Sequence, residues 1–153
     1  MPERAINVST RQVQSKRFTP HGEANFLYAD DDLLIVNATG PFNLEFIENL
    51  EVVEYSLMLE MSQRYPTWYA LATISVSMMM TPETVQRYAQ HRKKMGEAGL
   101  NPKAIAFVMA PDVEGRGLMH PHLAQLYEEA GVQFADFTEE QEARAWLMQI
   151  KRG

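Results

Sequence analysis

Three consecutive methionines, Met78-Met79-Met80, stand between an apolar run and the helix-start signal Thr81-Pro82-Glu83. A thioether chain is unbranched and polarizable, so such a triplet at a strand end either lines an adaptable apolar pocket or fills core gaps. A second set is Gly115-Arg116-Gly117 with Met119 just beyond. It combines permissive backbone with a cation, which suits a phosphate or carboxylate head group, but it lacks the spacing of a phosphate-binding loop. His120 and His122 flank Pro121, with Asp112 and Glu114 upstream. Imidazole and carboxylate together can hold a divalent metal. Here the ring spacing across a helix start aims the two imidazoles apart and no third ligand is marked, so no metal site is expected. The Ser77 and Thr81 hydroxyls can accept phosphate, and charge added at a helix N-terminus is tolerated. Thr81 reads equally well as a plain N-cap. Ser75 or Ser77 as a nucleophile would need a base oriented by a third group, and no nucleophile-elbow motif is present. No catalytic residues are therefore expected, and a small hydrolase stands last among the functional readings. Arg87, His91, Arg92, Lys93 and Lys94 form a basic stretch. It is read as a solvated helix face, or as a docking surface for an acidic partner or anionic lipid.

Elements must bring these residues together. Two short apolar runs, Ala24–Ala29 and Leu33–Thr39, lie either side of Asp30-Asp31-Asp32 and read as a β-hairpin. The second is almost continuously apolar, which predicts burial on both faces. Gly40-Pro41-Phe42-Asn43 stops it, and Asn43 is a good N-cap for a helix running to about Tyr65, with Phe46, Leu50, Val53, Leu57 and Met61 on one face. Trp68 to Ser77 is β-branched and aromatic and reads as the central strand. Thr81 caps the next helix, whose buried face starts with Val85, Tyr88 and Ala89 and which ends at Gly99. Lys103 to Met109 is a buried strand and Pro111 to His120 a loop. Pro121 starts a third helix closed by Gly131. Val132 to Phe137 is the last strand. A capping box at Thr138–Gln141 opens a final helix with Ala143, Trp146, Leu147 and Ile150 inward. This alternation predicts an α/β fold: a mixed, mostly parallel sheet of about five strands with about four helices and an antiparallel N-terminal edge strand. The loops Gly40–Asn43, Ser77–Thr84 and Pro111–His122 should meet at the C-terminal rim of the sheet, where open α/β sheets bind ligands.

The chain of 153 residues fits one domain with one core. It contains no cysteine, which excludes disulfides, thiolate metal sites and a cysteine nucleophile. The first twenty residues carry Arg4, Arg11, Lys16 and Arg17 against Glu3, so the body is more acidic than the net charge of −6. An acidic body argues against a nucleic-acid partner. The N-terminus lacks an apolar signal segment and no run is long enough to span a membrane, so a cytoplasmic location is expected. Residues 1–20 are read as a polar N-terminal arm, either frayed or ordered against a second subunit in a homodimer. Residues 21–153 form the folded domain.

Three stretches resemble a known family: the strand into Thr39-Gly40-Pro41-Phe42-Asn43 with its helix, Trp68 onward into Thr81-Pro82-Glu83, and the ending Phe137-Thr-Glu-Glu-Gln-Glu-Ala-Arg-Ala-Trp146-Leu147. With the element order, they resemble the STAS (sulfate transporter and anti-sigma-factor antagonist) fold. The similarity is closest to its SpoIIAA-like branch, which lies beside the CRAL/TRIO lipid-binding domains. It covers about residues 22–150. Antagonists of that family carry a phosphorylatable serine within Asp-Ser-Ser-Gly. This chain has Ser77-Met78-Met79-Met80-Thr81 there, without the Asp or the Gly. The resemblance implies a non-enzymatic module that needs no cofactor and binds a small apolar or amphipathic, lipid-like ligand. The expected ligand-binding residues are Phe42, Asn43, Met78, Met79, Met80, Thr81, Arg116 and Met119. The alternative is a regulator that acts through a protein partner, in the manner of an anti-sigma-factor antagonist, with Ser77 or Thr81 as the phosphorylated residue.

Overall fold

The computed structural model describes residues 6–10, 21–28 and 31–153. Its elements are β1 (Ile6–Ser9), β2 (Glu23–Tyr28), β3 (Leu33–Thr39), α1 (Leu44–Arg64), β4 (Tyr69–Ser75), α2 (Pro82–Glu97), β5 (Ala104–Met109), α3 (Arg116–Glu129), β6 (Gln133–Phe137) and α4 (Glu140–Arg152). Among the described residues six strands form one sheet whose spatial order is the chain order. β1, β2 and β3 pair antiparallel, whereas β3 to β6 are parallel.

The expected sheet of about five strands therefore gains one. Residues 6–9 lie in the stretch read as a polar arm, yet they pair with β2 as the edge strand. Ile6-Asn7-Val8-Ser9 alternates apolar and polar for only four residues, too short for the period to stand out. Thr10 is buried beside it, and its Oγ1 accepts from the backbone of Ala24 at 3.1 Å. The rest of the arm, 1–5 and 11–20, lies outside the described residues, and so does any dimer contact it makes.

The winding follows from handedness. Successive parallel strands are added in one direction, so right-handed β-α-β crossovers place α1, α2 and α3 on the same face. α4 follows the last strand, needs no crossover and covers β4, β5 and β6 from the opposite side. Past β4 its cluster takes in Leu33 at the start of β3 but not the rest of that strand, and this explains why β3 is not buried on both faces as expected. Leu34 and Ala38 turn into the three-helix side and are buried, while Asn37 and Thr39 on the other side are exposed.

β4 is central and β5 is wholly buried, as the continuous apolar runs indicated. Asn43 caps α1 by accepting from Phe46 N at 2.9 Å, and Thr81 caps α2 by accepting from Thr84 N at 3.2 Å. Two boundaries differ from expectation. α3 starts five residues before Pro121, directly after Gly115, whose φ of 75° turns the chain. Pro121 is tolerated inside it because its missing N–H leaves only the carbonyl of Gly117, an exposed residue, to solvent. The Thr138 capping box does not form: Glu139 is the N-cap and makes no side-chain cap bond.

Candidate functional site

The three rim loops do meet. Gly40 N donates to Ser75 O at 3.2 Å and Phe42 N to Met79 O at 3.1 Å. Met78 N donates to Glu114 O at 2.8 Å, and Glu114 N to Val76 O at 3.0 Å, forming a parallel bridge above the sheet. The fit is close: a Cβ on Gly40 would lie 1.9 Å from Ser77 O, and one on Gly115 would lie 2.3 Å from Met79 Sδ. Val76 makes the bend. Ser77 N donates back to Ser75 O at 2.9 Å across Val76, whose φ is +70°. That is a γ-turn of the strained hand, adopted here by a β-branched residue.

The bend sends Met78 and Met80 inward instead of leaving them on an open lip. With Phe42 they line a cavity of about 70 Å³ between the sheet and α1 and α2. Its floor explains the space. On the side facing these helices β4 carries Ala70 and Ala72, flanked by Leu34 and Val36 on β3 and by Ile105 and Phe107 on β5. Small residues in the middle of the floor leave depth that the flanking side chains do not fill.

The far end of the cavity is polar and draws on three helices: Glu54 from α1, Tyr88 and Arg92 from α2, and Tyr127 from α3. Arg92 is 1% exposed. Its Nη1 and Nη2 donate to the two carboxylate oxygens of Glu54, and Nη2 also reaches Met58 Sδ at 3.6 Å. His91 Nε2 lies 2.6 Å from the same Glu54 Oε1, which fits an Nε2–H donor. The Tyr88 and Tyr127 hydroxyls are 2.5 Å apart, and the guanidinium lies 5.4 Å from the centre of the Tyr88 ring. Tyr127 in turn stacks on Phe134 at 5.3 Å. Asn101 Nδ2 donates to Arg92 O at 2.8 Å and ties the loop after α2 to the helix end.

Burial alone would raise the Glu54 carboxyl, but Arg92 beside it, with help from His91, overcomes that and holds its pKa below the usual range. Burial pushes both tyrosines up, Tyr127 furthest, so both are protonated at neutral pH. Burial opposes the charge on Arg92, and Glu54 more than restores it, so the guanidinium stays charged.

This cluster corrects the expected solvated basic face of α2. Only Lys93 and Lys94 of that stretch are exposed. Arg87 pairs with Glu51 of α1 at 2.7 Å, and His91 and Arg92 are buried. The inward residues are Thr84, Tyr88, His91, Arg92 and Met95, a stripe rotated from the expected Val85–Tyr88–Ala89 face. Helical spacing from Tyr88 points at positions 91, 92 and 95, and Glu54 falls between Leu50 and Met58 on the apolar stripe of α1. Both signals lie in the sequence, under charged residues that are ordinarily assigned to the surface.

The other candidate residues fall elsewhere. Asn43 and Thr81 serve as caps. Met79 is half-buried over Gly115, and Met119 is a core residue on the inner face of α3. Arg116 does not reach the cavity: with Pro111, Leu118, His120 and Asp136 it lines a separate open groove at the start of α3. A head group on Gly115-Arg116-Gly117 and a tail over the methionines would thus occupy two different places. Ser77 is 1% exposed; its hydroxyl donates to Glu114 Oε1 at 2.7 Å and accepts from Met79 N at 3.1 Å. A kinase has no access to it in this fold, whereas Thr81 is exposed. His120 Nδ1 pairs with Asp136 Oδ2 at 2.7 Å, and His122 is exposed. Among the described residues no group of three metal-ligating side chains comes together, and no helix is long and apolar enough to cross a membrane.

Fold and site together define an α/β protein whose mixed six-stranded sheet carries an apolar, polar-ended cavity under three helices. No protein-family model matches the chain, and neither a curated protein nor a solved structure does.

Proposed function

We propose that this protein is a non-enzymatic binding module, SpoIIAA-like in type, that takes a small apolar or amphipathic ligand into the cavity beneath α1 and α2. The observation that carries this reading is the conjunction at one cavity of inward-turned Met78, Met80 and Phe42 with a buried polar end. Small-molecule sites have this character: concave, mainly apolar, with a few convergent polar groups. The volume limits the ligand. At about 70 Å³ the cavity is smaller than the ~150 Å³ engineered cavity that takes benzene, so larger molecules require Met58, Met78 and Met80 to shift. Titration with pentane, hexanol and octanoate, read through methionine methyl resonances, tests the reading. Binding should shift Met58, Met78 and Met80 and disappear in Ala72→Leu, which fills the floor. Unmoved resonances with every probe would end it.

A protein-contact role is the second reading, supported by two exposed apolar side chains at the rim, Val76 at 65% and Leu118 at 63%. Under it, Val76→Ser with Leu118→Ser would abolish capture of a specific partner and leave methyl shifts with the probes intact.

A further inference from the structure

The bonds at the polar end do not balance, and the imbalance defines what a ligand must bring. Both Glu54 oxygens are engaged, Oε1 by His91 and Arg92 and Oε2 by Arg92. Arg92 Nε is buried and meets no acceptor. The two tyrosine hydroxyls carry two hydrogens and share one bond, and no other acceptor bonds either of them. Two donors are thus in surplus on residues that line the cavity, and three of the four lone-pair sites of the acidic group there are already taken. Charge is already balanced as well, because Arg92 is neutralised by Glu54 at contact distance.

We infer that the ligand is a small, uncharged molecule with one oxygen acceptor, of the ketone, aldehyde or ester class, whose oxygen meets the surplus donors of Tyr88, Tyr127 and Arg92 while its apolar part lies over Ala70 and Ala72. This rests on the ligand-binding reading above and narrows it. A carboxylate would leave the buried site with a net negative charge at a desolvation cost that no unpaired cation offsets. A hydrocarbon would leave both donors unsatisfied. Donor surplus plus charge balance therefore selects a neutral acceptor over either.

Pentan-2-one, pentane and pentanoate have the same chain length and separate the cases. Each is titrated at neutral pH into the full chain and read by methionine methyl shifts. Pentan-2-one should bind about tenfold more tightly than either of the others, the value of roughly one satisfied buried hydrogen bond. In Tyr88→Phe/Tyr127→Phe that advantage should shrink while pentane binding persists. A single tyrosine variant is insufficient, since the remaining hydroxyl still has a hydrogen to give. Pentane matching the ketone, or pentanoate exceeding it, would overturn the inference and leave the ligand-binding reading intact. No binding by any of the three would remove both. The comparison among probes needs only the unaltered protein, so a variant that fails to fold does not blunt it.

Discussion

The two faces of the sheet use alanine in opposite ways. On the α4 face, Ala104 and Ala106 of β5 lie under Ala143 of the helix, all three fully buried. Small residues on both sides let the helix settle against the strands, and Leu71, Val108 and Leu147 complete a solid layer. On the other face Ala70 and Ala72 lie under α1 and α2, and the result is a cavity. The difference lies in what the helices carry. α2 and α3 bring Tyr88, Arg92 and Tyr127, and α1 brings Glu54, a set of long, mutually bonded side chains that hold the helices off the sheet. The α4 cluster contains no buried charge among the described residues. Alanine in a strand thus marks close approach or empty depth according to whether the opposing element is propped.

Removing one prop should produce the largest effect. Glu54→Ala leaves the Arg92 charge buried without a carboxylate and should cost about 3–5 kcal/mol in urea denaturation, and Arg92→Ala, which leaves Glu54 with His91 alone, should fall toward the lower end of that range. The apolar replacement Glu54→Met/Arg92→Met should cost far less than the two single changes combined, because no lone charge remains. If the single variants prove as mild as the double, the pair is not what separates the faces. The next largest contrast comes from filling the alanines. Ala106→Leu overpacks the α4 face and should cost about 1–3 kcal/mol, whereas Ala72→Leu enters existing space and should cost less or stabilise. Equal losses in thermal denaturation would erase the distinction.

Acid should act on the propped face. The Glu54 carboxyl is held below its usual range when folded, so its contribution is fully present above the unfolded carboxyl value of about 4.3 and is lost as pH falls through the folded value. Glu54→Gln, though less stable at neutral pH, should show a flatter stability profile between about pH 5 and pH 3 than the parent chain. A parallel profile would assign acid sensitivity elsewhere. The smallest effect is expected at the rim: Val76→Gly relieves the positive φ, set against a more flexible unfolded chain, and should change stability by about 1 kcal/mol or less toward stabilisation.

Much of this was readable from residue patterns, and the failures have a common cause. Strands rich in apolar residues, helix caps at Asn43 and Thr81, and the meeting of three rim loops follow from local chemistry and crossover handedness. β1 escaped because four alternating residues carry too little signal, and the start of α3 because Pro121 is a stronger punctuation mark than Gly115. The polar end of the cavity escaped for a deeper reason. Glu54, His91 and Arg92 are residue types that belong outside unless paired, and the partners are 37 and 38 positions apart along the chain. Spacing places each on an inward stripe, but only the packed helices reveal that the stripes face each other.

Because spatial order copies chain order, a polypeptide emerging from the ribosome can lay each parallel strand on the margin left by the one before. Sheet floor and first two roof helices are synthesised by Met109, whereas Tyr127 arrives eighteen residues later. During that interval β5 is a naked border and the chamber lacks one wall. If the proposed ligand exists, synthesis itself supplies a period in which it is enclosed rather than threaded in, and a chain stalled before α3 is the species in which to look for it.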